Sequence, residues 1–174
     1  MASFIQINLN KSREALDLLI HHANELRAVV CAVSEPARMP GSQQWFRSRN
    51  GLAIYINSRI AIYPAILFAQ GHNTVIICYG NIYVASCYVS PNIDYDGYSD
   101  FLEKLTAMCS SVTSNNLIVC GDFNAHAHLW GSNLSDFKGD LLENWAAQTD
   151  LRLVNVGHKP TFVSHQGSSV IDLT

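Results

Sequence analysis

No run of about 18 uncharged apolar residues occurs in the 174-residue sequence, so no membrane-spanning helix is expected. The amino terminus, MASFIQINLN, has no basic stretch leading into an apolar segment and a small-residue cleavage site, so no secretory signal is expected. An excess of positive charge is missing too. Lys and Arg number 11 against 14 Asp and Glu, a formal charge of −3. That argues against a protein held on nucleic acid by phosphate attraction alone, because such proteins are usually basic. It leaves a nuclease open, since a nuclease needs carboxylates at its centre. None of the five cysteines (Cys31, Cys78, Cys87, Cys109 and Cys120) stands in C-x-x-C spacing. The odd count and the apolar neighbours of each point to buried free thiols in a reducing compartment, not to a disulfide framework or a zinc knuckle. No helical H-x-x-x-H or H-E-x-x-H supports a zinc enzyme built on His126 and His128. Repeats, low-complexity tracts and linkers are absent, and the length suits a single domain over residues 1–174.

What the sequence does hold is core material: 48% of residues are hydrophobic and 14% charged. Short apolar runs dominate. Phe4–Ile7 reads as a strand, and Leu16, Leu19, Ala23 and Leu26 share one face of a helix from Ser12 to Leu26, capped by Asn10 or Ser12. Ala28–Val33 is continuously apolar, as in a strand covered on both faces. Residues 34–50, with Pro36, Pro40 and Gly41, read as a loop that closes on the turn pair Asn50-Gly51. Strand-like runs follow at Leu52–Ile56, Ile60–Phe68, Thr74–Tyr79 and Ile82–Val89, the last two joined by a Gly80-Asn81 hairpin turn. Helices are expected over Tyr98–Val112 and Asp140–Gln148, with strands at Leu117–Cys120, near Leu151–Val154 and in the run Ser169–Leu173. Alternating helices and strands around a block of hairpins predict sheets packed face to face with helices outside.

The chemistry-bearing residues stand at the ends of these strands. In Gly121-Asp122-Phe123-Asn124-Ala125-His126 a carboxylate and an amide follow a buried strand, where α/β proteins place ligand-binding groups. Asp122 can accept a proton or orient a water, and Asn124 can donate to a phosphoryl oxygen, although an Asx turn would also place them there. Glu35, after the run Ala28–Val33, suits a hard cation such as Mg²⁺, which takes oxygen ligands and few of them from protein. Asn8 and Asn10 follow the first strand in the same way, and Tyr88 ends the strand Ile82–Val89. Asp172 interrupts the apolar run Val170–Leu173, where a carboxylate needs a partner such as a histidine.

Taken in order, these strand ends resemble the endonuclease–exonuclease–phosphatase superfamily in its apurinic/apyrimidinic-endonuclease-like branch. More closely, they resemble the endonuclease domain of non-LTR retrotransposon polyproteins. The matching pieces are Gln6–Asn10, Ser34-Glu35-Pro36, Cys87–Pro91, Gly121–His126 with Trp130-Gly131, Pro160-Thr161-Phe162 and Ser169–Leu173. The resemblance implies an α/β fold, a four-layer α/β sandwich of two packed mixed sheets flanked by helices, and metal-dependent hydrolysis of a phosphodiester. It implies that Glu35 binds the metal, Mg²⁺ or Mn²⁺, with Asn8 beside it. Asp122 would orient or deprotonate the attacking water, Asn124 and Tyr88 would contact the scissile phosphate, and Asp172 would orient a catalytic histidine. Thr161 and Ser169 match positions that touch DNA near the cut, and His126 is a further candidate DNA contact.

The family pattern continues past the Ile-Asp-Leu strand to a Ser-Asp-His element, whereas this sequence ends at Thr174. The expectation is therefore a C-terminally incomplete domain, weakly active or inactive as it stands, whose parent nicks double-stranded DNA to prime reverse transcription. A reverse transcriptase domain is expected in that parent polyprotein, with synthesis in the cytoplasm, action in the nucleus and no membrane association. The alternatives are a catalytically inactive DNA-binding remnant and a phosphodiesterase of the same superfamily with a non-DNA substrate.

Overall fold

The computed structural model of the chain describes residues 3–39, 41–155, 159–165 and 167–174. Pro40, assigned above to a loop, lies outside them. In chain order the elements are β1 (Ser3–Asn8), α1 (Arg13–Glu25), β2 (Ala28–Ser34), β3 (Trp45–Arg47), β4 (Ala53–Ile56), β5 (Ala65–Gln70), β6 (Thr74–Tyr79), β7 (Ile82–Tyr88), α2 (Tyr95–Ser110), β8 (Leu117–Asp122), a single 3₁₀ turn (His128–Trp130), α3 (Phe137–Gln148), β9 (Phe162–Ser164), β10 (Gly167–Ser169) and β11 (Asp172–Leu173). They fall into two compact units, residues 1–88 with 112–121, and residues 89–111 with 122–174.

The first unit is layered by side-chain alternation. One sheet runs in the order β1-β2-β4-β3, with β1 parallel to β2 and the other pairs antiparallel. On β4, Ile54 and Ile56 enter one core while Ala53 and Tyr55 enter the other. Val30 and Ala32 against Cys31 and Val33 divide β2 in the same way. A period of two on a strand buried on both faces gives this split. The first core is closed by Val75 and Ile77 of β6, Val84 of β7 and Cys120 of β8, from the neighbouring run β8-β7-β6-β5. The second is closed by Leu16, Leu19 and Ala23, the apolar face of α1. Ser12 caps α1 by accepting the Ala15 N–H at 3.1 Å. Gly80, at φ 62°, makes the two-residue turn from Tyr79 to Ile82.

In the second unit α2 and α3 are tied by the Trp145 indole, which donates to the Thr106 hydroxyl at 2.7 Å. Phe101 and Phe123 meet edge to face. The β9–β10 hairpin pairs Phe162 with Ser169, and Asn155 clamps the chain end by donating to the Asp172 carbonyl at 2.9 Å and accepting the Thr174 N–H at 2.8 Å.

Several expected boundaries shift, each for a local reason. Trp45–Arg47, expected in a loop, is strand β3, because Trp45 stacks on Tyr55 and the segment pairs with β4. The strand expected at Ile60–Phe68 begins only at Ala65, since Ile60 and Ala61 turn back to donate to the Asn57 carbonyl. No strand forms at Leu151–Val154, where Val154 makes one backbone bond, to Thr174. The helices expected from Tyr98 and Asp140 start at Tyr95 and Phe137, because Asp94 and Asp136 cap them through the N–H groups of Gly97 and Gly139. The run Ser169–Leu173 is broken between β10 and β11.

Candidate active site

Parallel pairing of β1 and β2 sets Asn8 opposite Ser34, so the two strands end side by side. The Asn8 amide donates to Glu35 Oε2 at 3.1 Å. Asn8 Oδ1 in turn accepts the Asn10 N–H at 2.8 Å. The loop is then sewn to the neighbouring strand: Leu9 N–H donates to the Ser34 carbonyl, and Lys11 N–H donates to that of Glu35 at 2.8 Å. This turn is strained, with Asn10, Lys11 and Glu35 all at positive φ, 44°, 57° and 46°. Residues held so cost on the order of 1–3 kcal/mol each and persist where the surroundings over-determine them.

On the unit's other sheet, the end of β8 is fixed against β7 by Gly121. Its φ of 150° suits glycine, and an added Cβ would lie 2.0 Å from the Cys87 carbonyl oxygen. Gln6, two residues before Asn8, donates its amide to the Gly121 carbonyl at 2.8 Å. Tyr88, half-buried against the inter-sheet core, donates its N–H to the Asn73 carbonyl at 3.1 Å.

In the second unit Asp122 is 3% exposed, and its Oδ1 accepts the Asn124 N–H at 3.2 Å. Its backbone carbonyl accepts the Val89 N–H at 3.0 Å, and the Asn124 amide donates to the Val89 carbonyl at 2.9 Å. Asn124 sits at φ 47°, a conformation asparagine tolerates better than most residues. The Asx turn foreseen after this strand therefore forms, and it holds the buried Asp122 carboxylate in place. Val89, which follows Tyr88, is thus bound to both Asp122 and Asn124.

Thr161 braces the chain ahead of β11. Its hydroxyl accepts the N–H groups of both Ile171 and Asp172 at 3.1 Å, and so fixes the backbone on which the Asp172 carboxylate stands. Ser169, half-buried, accepts the Thr161 N–H through its carbonyl at 3.0 Å. His126 Nδ1 lies 2.9 Å from Asp136 Oδ2. Asp136 Oδ1 also receives the N–H groups of His126 and Gly139 at 3.2 and 2.8 Å. Burial raises the Asp136 pKa, but the hydrogen bonds from the His126 ring, Gly139 and His126 outweigh it and hold the carboxyl below its ordinary value.

Three contributors escaped the sequence reading. Asp136 caps a helix, with no signal linking it to His126. Gln6 stood inside a matched motif without an assigned task. Asn155 was the one with a legible signal, a polar residue within the apolar run Leu153–Val156. Among the described residues no three His, Cys, Asp or Glu side chains gather as a metal cage. Glu35 with its neighbouring amide is an oxygen set of the sparse kind that Mg²⁺ accepts, since that ion keeps several waters.

A sequence profile described as endonuclease-reverse transcriptase matches residues 82–174, more than half of the chain. The chain belongs to the endonuclease-reverse transcriptase family. That is a nuclease lineage of the endonuclease–exonuclease–phosphatase superfamily, whose members are hydrolases. No curated protein matches the sequence. Among solved structures, the chain is similar to the endonuclease domain of TRAS1, a telomere-specific non-LTR retrotransposon, with 24% identity and a TM-score of 0.87 over 99% of this chain and 82% of that one. It is also similar to an AP endonuclease from Archaeoglobus fulgidus, with 16% identity and a TM-score of 0.67 over 99% and 85% of the two chains. A third similar structure is the 3′ phosphatase NExo from Neisseria bound to product DNA hairpin, with 12% identity and a TM-score of 0.66 over 99% and 85%. These likenesses carry the fold: mixed β-sheets with flanking helices in the α/β sandwich of this superfamily. No helix of the described residues is long and apolar enough to cross a membrane.

Proposed function

We propose that this family member is a divalent-metal-dependent endonuclease that nicks double-stranded DNA for insertion of a non-LTR retrotransposon. The observation that supports this best is the Asp122 loop. A carboxylate 3% exposed, braced by the Asn124 N–H and carried on a strand end, is built to hold one water in one orientation. In this reading Asp122 orients the attacking water and takes its proton. Asn124, clamped to Val89, presents its remaining amide hydrogen to the scissile phosphate, and Tyr88 presents its phenol. Glu35, oriented by Asn8, holds Mg²⁺ or Mn²⁺. When bound, such an ion supplies neutralisation of phosphoryl charge. Asp172, on backbone fixed by Thr161, orients a histidine. The nick then serves the reverse transcriptase expected in the parent polyprotein.

The test is a supercoiled-plasmid nicking assay with Mg²⁺, comparing the 174-residue chain with a form carrying a Ser-Asp-His strand after Thr174. Each is also made as Asp122→Ala. The extended form is expected to nick, and Asp122→Ala to slow it on the order of 10²–10⁴-fold, the usual contribution of a positioned acid or base. Absence of nicking in all forms overturns the endonuclease reading and turns the search to lipid and nucleotide phosphodiesters.

A further inference from the structure

β5 is the end strand of its sheet: among the described residues it pairs with β6 alone. The stretch of chain that carries it is uncharged. Between Arg59 and Asp94 the sequence has no Asp, Glu, Lys or Arg. Edge strands usually bear a lysine or another charge that keeps a second chain away. Here the edge is apolar instead. Ile62, Tyr63, Ile66, Leu67 and Phe68, clustered in one short stretch, are between 37% and 79% exposed. A monomer seldom leaves a contiguous apolar patch of more than a few hundred Å² in water.

Two of these side chains are already held in place. The Tyr63 ring stands edge-on to Tyr79, with 5.7 Å between centroids, and lies against Gly80, where a Cβ would come within 3.2 Å of it. Phe68 stands edge-on to Tyr83 at 4.9 Å. A ring ordered beforehand loses little conformational freedom when a partner covers it. Pro64 and an irregular register between Leu67 and Ala69 leave only a short run of free backbone. The edge therefore offers side chains more than a sheet to be continued. The same uncharged surface runs on through Tyr63 and Ala65 into a cleft of about 610 Å³ that Phe46, Ile56 and Ala61 help to line.

We propose that this edge is a self-association surface, on which β5 of one copy packs against β5 of a second copy about a two-fold axis. Area and charge both favour a second copy as the occupant. The five side chains expose about 600 Å², most of the roughly 800 Å² per partner of a standard interface. A two-fold contact sets the patch against itself, so like charges would meet across its centre. A patch without charge carries no such penalty, and it offers nothing to steer an oppositely charged partner. Ile66 stands in the middle of the run, so the two Ile66 side chains lie nearest the axis. The contact lies within the first unit and is independent of the endonuclease reading.

The test is sedimentation equilibrium of the 174-residue chain at concentrations up to about 100 µM, because an interface at the small end of the size range is weak. The mass is expected to rise with concentration from 19.2 kDa toward twice that value. It should do so equally in dilute buffer and in molar salt, since the contact holds no charge pair to screen. Ile66→Glu sets two carboxylates near the axis and should leave only monomer. Leu18→Glu, at an exposed position on α1 outside the patch, should change nothing. Mixing Ile66→Glu with Ile66→Lys should restore the dimer, which a merely misfolded variant could not do. A chain that stays monomeric throughout overturns the proposal. So does a dimer that survives Ile66→Glu, or a mixture that fails to re-form one. Species larger than a dimer would mean an open head-to-tail contact and overturn it likewise. A monomer that floats with phosphatidylcholine vesicles would give the patch to a lipid surface, and that too overturns the proposal.

Discussion

A methyl group on Gly121 would stand 2.0 Å from the Cys87 carbonyl oxygen and 2.7 Å from its carbon, both backbone atoms that cannot swing away. Gly121→Ala must therefore separate β7 from β8 or bend one of them, and its φ of 150° adds backbone strain that any other residue pays. We expect a loss of ~1–3 kcal/mol, the range of an overpacked interior, read as a shift of the urea midpoint at constant slope. Gly51→Ala is the control: it is also at positive φ, 79°, but an added Cβ there meets nothing within 4 Å. If the two variants lose the same stability, the close approach to Cys87 contributes nothing and only the dihedral matters. The catalytic consequence should exceed the stability consequence, because Gly121 precedes Asp122 and Cys87 precedes Tyr88 directly in the chain. Asp122 is easy to single out from sequence, whereas the reason its strand ends where it does lies in this glycine. Glu35 shows the same limit. Its type and place after a buried run were legible, but its φ of 46° and its bond to the Asn8 amide depend on a parallel partner strand that no local pattern encodes.

At the scale of an element, α3 depends on one carboxylate for two duties. Asp136 accepts the Gly139 N–H as the helix cap and fastens the His126 loop by a backbone and a ring hydrogen bond. Because its folded pKa lies below the ordinary value of 3.8, its contribution to stability is fully present above that value. It is lost as pH falls through the lower, folded one. Acid unfolding followed by circular dichroism should show Asp136→Asn less sensitive to pH below about 4 than the unsubstituted protein, with a lower plateau at pH 7. A parallel pair of curves would mean that the carboxyl charge is not used. Asp136→Ala removes the cap outright and should cost about 1 kcal/mol from that alone. The sequence reading placed this helix three residues late because it weighed apolar spacing and overlooked the cap. It found the continuous strand β2 and the β6–β7 hairpin because a fully apolar run and a Gly-Asn turn are local signals. It missed β3 because three residues, Trp45-Phe46-Arg47, become a strand only through their pairing with β4.

Across the whole molecule, the cysteines report how firmly each layer is closed. Cys31 lies in the core under α1 and Cys120 in the core between the first unit's sheets, and burial pushes both thiols up to about 12. In the second unit Cys109 is pushed up to about 11 for the same reason. Cys87 is fully buried, while Cys78 is only half-buried on β6. The thiolate is the reacting species, so a buried, protonated thiol reacts only when its layer opens. Native protein at pH 8 with a chromogenic disulfide reagent should therefore label Cys78 first and Cys109 slowly. Cys31, Cys87 and Cys120 should react only as guanidinium unfolds the first unit. Mass mapping of the labelled peptides checks the order, and early labelling of Cys31 would mean that α1 lifts from its sheet far more readily than the packing of Leu16, Leu19 and Ala23 implies. The same burial fixes the alkaline limit. The folded thiol values lie above the ordinary 9.0, so folding keeps these groups neutral where the unfolded chain would ionise them. Their contribution is whole below about pH 9 and is lost as pH climbs from there toward 12, because the unfolded state gives up protons that the folded state retains. Replacing Cys31 and Cys120 together with alanine should flatten that alkaline decline while lowering stability at pH 7, since two buried side chains leave voids. A decline equally steep without the two thiols would assign it instead to the tyrosines, of which Tyr55 is also shifted upward, mainly by burial.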